Sequence, residues 1–441
     1  MAWASEWLFA RRYDSCDPMT RILTLSNMYP PHSLGGYERS CDDVMRRLTS
    51  RGHEVTVLTT DMRVGGIADP LHEPFARVHR DLRFYWRDHV LLRPPTRDQW
   101  AIERHNHAAL ARAIELARPE VVSVWNMGAM SLSLLTAIER AGIPMVLAVC
   151  DDWLIYAPRL DPWTATFARV PSPARGVIDR LVGVPVQRPQ LTDAVFCFVS
   201  DATRRRAQQA GAWAIGRSTV VYSGIEAGEF SPLPAGVDHE WRGRLLYVGR
   251  LDDRKGIETL LRAVARLPDT TLDLVGHGDA EYRSRLDALA AGLGITDRVT
   301  FDAVPRGELA ATYRSADVVV FPSEWAEPFG LVPLEAMACG TPVIATCTGG
   351  SAEFLRDETN CLAFPPGDEH ALAAAVLRLE SDPALRRRLV VAGADLAAHF
   401  TTDRLADVME EWHVAAAARF RDGVPADLPA PLTVKAPPDA P

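Results

Sequence analysis

Two successive trains of short β-branched runs, each run followed by a helix-patterned segment, set the strongest limit on how this chain folds. In the first half, Arg21–Ser26, Val55–Thr60, Val121–Trp125, Met145–Val149, Val195–Val199 and Thr219–Tyr222 read as strands. Tyr37–Arg51 reads as a helix, with Val44, Met45 and Leu48 on one face and Gly52 closing it. The second half repeats the rhythm through Leu245–Val248, Leu272–Val275, Val299–Asp302, Val318–Phe321, Val343–Ala345 and Leu362–Phe364. Helices such as Lys255–Leu267, Glu281–Leu293 and Gly307–Ala316 are expected between them. Strands that alternate with helices imply a parallel sheet covered on both faces. The expected fold class is therefore α/β, with two Rossmann-like, doubly wound domains facing across a cleft that is the default active site.

The punctuation of the chain divides it. Glu226–Asp238 carries Gly228, Pro232, Pro234 and Gly236 and reads as a linker. Met19-Thr-Arg-Ile-Leu-Thr-Leu reads as the start of the first strand. The expected organisation is a disordered or upstream extension over residues 1–18, a first domain over 19–226, a linker over 227–239 and a second domain over 240–401. A helix over 402–422 follows, then a disordered Pro/Ala tail over 423–441.

Charge and composition exclude some classes. A formal net charge of −9 and a pI near 5.8 argue against a general nucleic-acid binder, though not against a local basic patch for phosphate. The seven cysteines are scattered without a Cys-x-x-Cys pair or zinc spacing, which fits reduced thiols in a cytoplasm. No stretch approaches the roughly 20 apolar residues of a membrane span. Met1–Arg12 is not read as a signal peptide, because Glu6 interrupts it and its basic residues follow the apolar part. A cytoplasmic protein is expected, at most peripheral at the inner membrane face. The Ala- and Arg-rich composition suggests a bacterial source.

The chemistry concentrates at strand ends. Glu327-Pro-Phe-Gly-Leu-Val-Pro-Leu-Glu335 lies between a strand and a helix expected to start near Gly330, and Ala-Met-Ala-Cys-Gly follows. A parallel sheet would place both carboxylates at its carboxyl edge, and the helix start offers free N–H groups to an anion. Val248-Gly249-Arg250-Leu251-Asp252-Asp253-Arg254-Lys255-Gly256 puts Arg250 and Lys255 five residues apart across a turn, where both reach one diphosphate. A lysine at a helix start is electrostatically misplaced unless an anion is nearby. Gly35-Gly36-Tyr37-Glu38 joins the first strand to its helix, and Gly276-His277-Gly278-Asp279 follows another strand. Glycines at such turns let backbone approach a phosphate closely. Glu38 is alternatively a first-turn carboxylate that simply suits the helix dipole. His277 either contacts a nucleotide or fills its turn.

Taken together, these strings resemble the donor-site signature of the retaining family-4 glycosyltransferases of GT-B fold, also described as glycosyl transferases group 1. The resemblance runs from about Thr20 to Thr401. It implies a first domain that binds an acceptor and a second that binds a nucleotide-diphosphate sugar. It also implies transfer with retention of anomeric configuration and no metal or other cofactor. Arg250 and Lys255 would stabilise the leaving diphosphate, Glu327 would hold sugar hydroxyls and Glu335 the ribose diol. Gly35, Gly36, Gly249, Gly276, His277, Phe329, Gly330 and Leu331 would line the donor, and Gly349-Gly350-Ser351-x-Glu353 would be scaffold beside it. The last helix would cross back onto the first domain. The acceptor is a small molecule, lipid or glycan. A sugar-nucleotide epimerase or hydrolase, and a non-catalytic nucleotide-sugar binder, are the alternatives.

One departure stands out. Many relatives carry a His-Asp pair where this chain reads Cys150-Asp151, followed by Asp152 and Trp153. A thiol is a weak hydrogen bonder and mostly protonated at neutral pH, so it does not replace an imidazole. Cys150 is otherwise a buried small hydrophobe at a strand end. Either Asp151 or Asp152 would then position the acceptor, with Trp153 beside them, or the chain would manage without such a group. The Arg- and aromatic-rich stretch Arg77–Arg97 reads as a solvated helix face, or as a surface for a phosphate-bearing acceptor or a membrane, and Arg204–Arg206 as solvated.

Overall fold

The computed structural model describes residues 19–68, 76–87, 90–232 and 240–422. The expected extension over 1–18, the tail over 423–441 and linker residues 233–239 lie outside the described residues.

In the first half the strands are β1 (Arg21–Leu25), β2 (Glu54–Thr60), β3 (Arg77–Leu82), β4 (Trp86–Arg87), β5 (Val90–Leu91), β6 (Val121–Val124), β7 (Met145–Val149), β8 (Val195–Phe198) and β9 (Arg217–Val220). Its helices are α1 (Gly36–Ser50), α2 (Thr96–Ala117), α3 (Ser133–Arg140), α4 (Trp153–Leu160), α5 (Pro162–Thr166), α6 (Ser172–Val182) and α7 (Asp201–Ala210). The second half holds β10 (Arg244–Val248), β11 (Thr271–Val275), β12 (Val299–Asp302), β13 (Val318–Phe321), β14 (Val343–Ala345) and β15 (Leu362–Ala363). Its helices are α8 (Ile257–Ala265), α9 (Ala280–Gly292), α10 (Arg306–Ser315), α11 (Leu331–Ala338), α12 (Glu369–Ser381), α13 (Pro383–Ala397) and α14 (Thr402–Asp422).

Two parallel sheets result, ordered β3-β2-β1-β6-β7-β8-β9 and β12-β11-β10-β13-β14-β15. Strands β6, β7, β8, β13 and β14 are buried along their whole length, as central strands covered by helices must be. In each sheet the winding direction reverses beside the first strand, between β1 and β6 and between β10 and β13. Crevices open at the carboxyl ends of strands at such reversals. The loops after β10 and β13 are Gly249–Gly256 and Pro322–Gly330, so the basic string and the first carboxylate both fall on one switch point.

The halves meet through these same edges. A side chain at Gly36, the first residue of α1, would lie 3.4 Å from the Leu331 Cδ1 that opens α11. The chain crosses between halves twice, and the crossings are paired. Ile225 N–H donates to the Phe400 carbonyl at 2.8 Å, and Thr402 N–H donates to the Ile225 carbonyl at 3.0 Å. Helix α14 then packs on α1, with Met409, Trp412 and Ala416 buried beside Val44 and Met45. His53 and Arg51 both reach Glu410, and Arg47 reaches Asp403 at 2.5 Å.

Three local expectations change. Arg77–Arg97 is not a solvated helix face: Arg77–Leu82 is strand β3, Tyr85 is wholly buried, and its hydroxyl donates to Glu103 at 2.7 Å. The last strand of the first sheet begins two residues before the run that predicted it, at Arg217. The helix expected from Lys255 is broken: Asp253–Lys255 is a short 3₁₀ turn, and α8 starts only at Ile257. Gly256 separates them at φ +66°, where a Cβ would stand 2.0 Å from the Pro322 carbonyl. That close approach holds Lys255 against the loop after β13.

No described helix is long and apolar enough to cross a membrane. The six described cysteines are free thiols.

Candidate active site

Glu327 and Lys255 form the centre of the constellation in the second half. Lys255 Nζ lies 2.5 Å from Glu327 Oε1, and the Ser323 hydroxyl donates to the same oxygen at 2.6 Å. Glu327 is 5% exposed, so its charge is held by specific partners rather than by water. Trp325 forms an aromatic wall beneath the cations, with Lys255 Nζ 5.6 Å and the Arg254 guanidinium 4.6 Å from its ring centre. A cavity lined by Tyr247, Val248, Gly249, Lys255, Ser323 and Val332 joins the basic turn to the start of α11.

The rest of the basic turn is built from backbone. Gly249 N–H donates to the Val275 carbonyl at 2.9 Å, and Leu251 N–H donates to the His277 carbonyl at 2.7 Å. Gly276 has φ +155°, and a Cβ there would stand 1.8 Å from the Gly249 carbonyl. The turn containing Gly276 and His277 therefore braces the turn carrying Arg250. The His277 side chain is exposed. Arg250 keeps 60% of its side chain in solvent, with only Asp252 at 3.4 Å. The Asp252 carboxyl is held well below the usual carboxylate range, chiefly by its hydrogen bonds from Arg254. Arg254 is thus tied to Asp252, while Arg250 is the more exposed of the two.

Glu335 lies one helical turn into α11 and is 5% exposed. The Tyr313 hydroxyl donates to it at 2.7 Å, and Arg306 stands 3.4 Å away. Burial nevertheless raises its pKa. Arg306 also pairs with Glu229 at 2.8 Å and lies over Phe230. Neither Tyr313 nor Arg306 was among the sequence candidates. Phe329 is 4% exposed and stacks on Tyr222 at 5.6 Å, so its ring belongs to the core. Gly330 at φ +103° caps α11.

On the first half's edge, Asp151 is fixed from both oxygens. Trp153 N–H donates to Oδ1 and the Tyr156 hydroxyl to Oδ2, each at 2.8 Å. Burial, opposed by those two bonds, raises its pKa to about 6. Cys150 is half-buried, and burial pushes its thiol well up, so it stands neutral. Asp152 is held by Arg206 Nε at 3.0 Å, which corrects the solvated reading of that arginine. Trp153 must be withdrawn as an acceptor contact. It is wholly buried in the core of the first half, because α4 begins there and turns the indole inward. Glu38 resolves to the helix-start alternative: it accepts the Gly35 N–H at 3.0 Å, and burial raises its pKa.

With this geometry in place, the chain can be set beside known proteins. The family model for glycosyl transferases group 1 matches residues 239–395, and that for glycosyltransferase family 4 matches residues 34–229. The chain is thus similar to the group 1 glycosyltransferases in its second half and to glycosyltransferase family 4 in its first. The fold agrees: the Anabaena HepE structure determined with UDP and glucose superposes with a TM-score of 0.65 at 21% identity, over 89% of this chain and 98% of that one. Among curated relatives, the D-inositol 3-phosphate glycosyltransferase of Mycolicibacterium vanbaalenii is 36% identical over 44% of this chain and 46% of its own. The glycogen synthase of Mycobacterium tuberculosis is 27% identical over 90% of this chain and 95% of its own. The chain spans about half the length or less of the curated relatives it matches at 36% identity or more. The two family models divide at the linker, so the Glu327–Glu335 string and the basic turn lie in the group 1 match and Asp151 in the family 4 match.

Proposed function

We propose that the second half binds a nucleotide-diphosphate sugar and that its sugar passes, with retention, to a hydroxyl of an acceptor held by the first half. The observation that carries this reading is the meeting of Lys255 with Glu327 in a cavity that joins the basic turn bearing Arg250 to the start of α11. Breaking the bond between the anomeric carbon and the diphosphate leaves negative charge on phosphate oxygens. Two cations and free helix-start N–H groups, fixed before the reaction, are suited to that charge. The reading assigns the charge-stabilising role to these side chains and gives no step to a metal or other cofactor.

Lys255 is shared between Glu327 and the incoming phosphate. Glu327 is then free to accept hydrogen bonds from sugar hydroxyls through the oxygen Lys255 does not occupy. Glu335, oriented by Tyr313, faces the ribose diol. Asp151, braced by Tyr156, orients the acceptor hydroxyl. The departing phosphate oxygen takes the proton of that hydroxyl as the new glycosidic bond forms. The partners are thus a nucleotide sugar and a small-molecule, lipid or glycan acceptor, in a cytoplasmic setting.

Thermal unfolding with UDP-, GDP-, ADP- and TDP-sugars, on wild type and Glu335→Ala, tests the donor site. A ligand at 100 times its dissociation constant stabilises by about 2.7 kcal/mol. One nucleotide family should shift wild type and leave Glu335→Ala unmoved. The UDP in the HepE structure makes UDP-glucose the first donor to try. No shift with any donor overturns the assignment. The anomeric proton coupling of the product, read by NMR, tests retention.

A further inference from the structure

We propose that Glu353 is a positioning residue that sets the angle between the two halves and so aligns the acceptor loop with Glu327. Glu353 ends the short turn Gly349–Glu353 in the second half, yet its carboxylate serves a helix of the first. Oε1 accepts the Ala202 N–H at 2.7 Å, and Oε2 accepts the Asp201 N–H at 3.0 Å. These are the first two N–H groups of α7, which have no partner inside their own helix. Ser200 caps the third from within, through its hydroxyl and the Thr203 N–H at 3.0 Å. A carboxylate at a helix N-terminus makes charge-assisted bonds and meets the positive end of the dipole. The bond therefore joins the halves at a point where the first half alone leaves two backbone N–H groups unsatisfied.

Two routes lead from Glu353 to the reacting groups. On the donor side, Gly350 N–H donates to the Glu327 carbonyl at 2.6 Å. Gly350 lies so close that a Cβ would stand 2.0 Å from the Pro328 carbonyl. The Tyr222 hydroxyl donates to Glu353 Oε2 at 2.9 Å while its ring stacks on Phe329. On the acceptor side, α7 carries Arg206, which holds Asp152 in the loop after β7. One short turn thus fixes Glu327 at one end and, through α7, the Cys150–Asp152 loop at the other. Glu353 also lies beside the paired crossings, since Tyr222 and Phe354 both pack on Phe400. A contact close to a pivot controls an angle with small displacements.

The activity arm of the test rests on the transfer reading, whereas the shape arm does not. Small-angle scattering is measured on wild type, Glu353→Gln, Glu353→Ala and Tyr222→Phe, with and without UDP-glucose. Turnover is followed as UDP released. Glu353→Ala should enlarge the radius of gyration and broaden the distance distribution. Turnover of UDP-glucose should fall about 10–100-fold, the scale expected when reacting groups are displaced by about 1 Å. The dissociation constant for UDP-glucose should stay within twofold of wild type. Glu353→Gln keeps an acceptor oxygen and should fall between, as should Tyr222→Phe. If Glu353→Ala does not fold, those two milder variants decide. Scattering curves superposable on wild type in every folded variant overturn the proposal, as does a loss confined to donor affinity. If wild type itself neither binds nor turns over UDP-glucose, that choice of donor fails, and the scattering comparison still judges Glu353.

Discussion

Lys255 and Arg250 are given the same task, yet the structure couples them to the fold very differently. Lys255 has 18% of its side chain exposed and is bonded to a Glu327 side chain that is 6% exposed. Replacing Lys255 with Met leaves that carboxylate buried with only the Ser323 hydroxyl. Removing one partner of a buried pair costs about 3–5 kcal/mol, and the retained hydroxyl places this case near about 3. For a unit of 150–250 residues, each kcal/mol lowers Tm by about 2–4 °C, so Lys255→Met should fall by roughly 6–12 °C. Arg250 is 60% exposed, and Arg250→Met should stay within about 0.5 kcal/mol of wild type. Both variants should lose about 10²–10³ in turnover. The decisive variant is Lys255→Met combined with Glu327→Gln, which removes the stranded charge and should recover most of the lost Tm. Thermal unfolding without ligand reads the first effect and UDP release the second. Equal Tm for the two single variants, or strict additivity in the double, would refute the coupling.

Four further outcomes follow from the same geometry. Burial raises the Asp151 pKa to about 6, so turnover should rise with pH through that value, and Asp151→Asn should abolish that limb of the profile while lowering the plateau. Glu103 is wholly buried against Tyr85 and Ser133, and burial raises its pKa to about 8 from an unfolded value near 4.5. Its contribution to stability is complete below about 4.5 and is lost as pH rises to about 8; urea unfolding across that window should show the decline, flattened in Glu103→Gln. Gly276→Ala should prevent the donor half from folding, because its Cβ would meet the Gly249 carbonyl at 1.8 Å. Gly36→Ala, with 3.4 Å to a movable Leu331 methyl, should leave Tm nearly unchanged and weaken donor binding instead.

What the sequence disclosed followed from how local each signal is. The strands were legible because buried parallel strands are continuous β-branched runs, and β7 and β13 match their runs within a residue. Lys255 and Glu327 could each be placed at one site because both strings sit at strand ends, but their direct bond across 72 residues had no local signal. Trp153 misled because adjacency to Asp151 says nothing about which way a helix turns its first side chain. Arg306 and Tyr313 gave no signal: their bonds to Glu335 depend on how α10 lies against α11, a packing fact with no local pattern. The reach of Glu353 to α7, across 151–152 residues, was invisible for the same reason. Its Gly-Gly turn was read only as scaffold beside the donor, with no sign of the neighbour it reaches.

The paired crossings at Ile225 and Thr401 bear on the order in which the protein is made. Helix α14 completes the core around Val44 and Met45, but it is the last described element to leave the ribosome. About 350 residues separate the end of α1 from its start, which at 5–20 residues per second is a delay of roughly 20–70 s. The second sheet and its covering helices all emerge within that interval. The half that comes second in the chain can therefore finish folding first, while the nascent first half waits with Leu48 and its neighbours uncovered. Chaperone dependence during synthesis should accordingly fall on the first half.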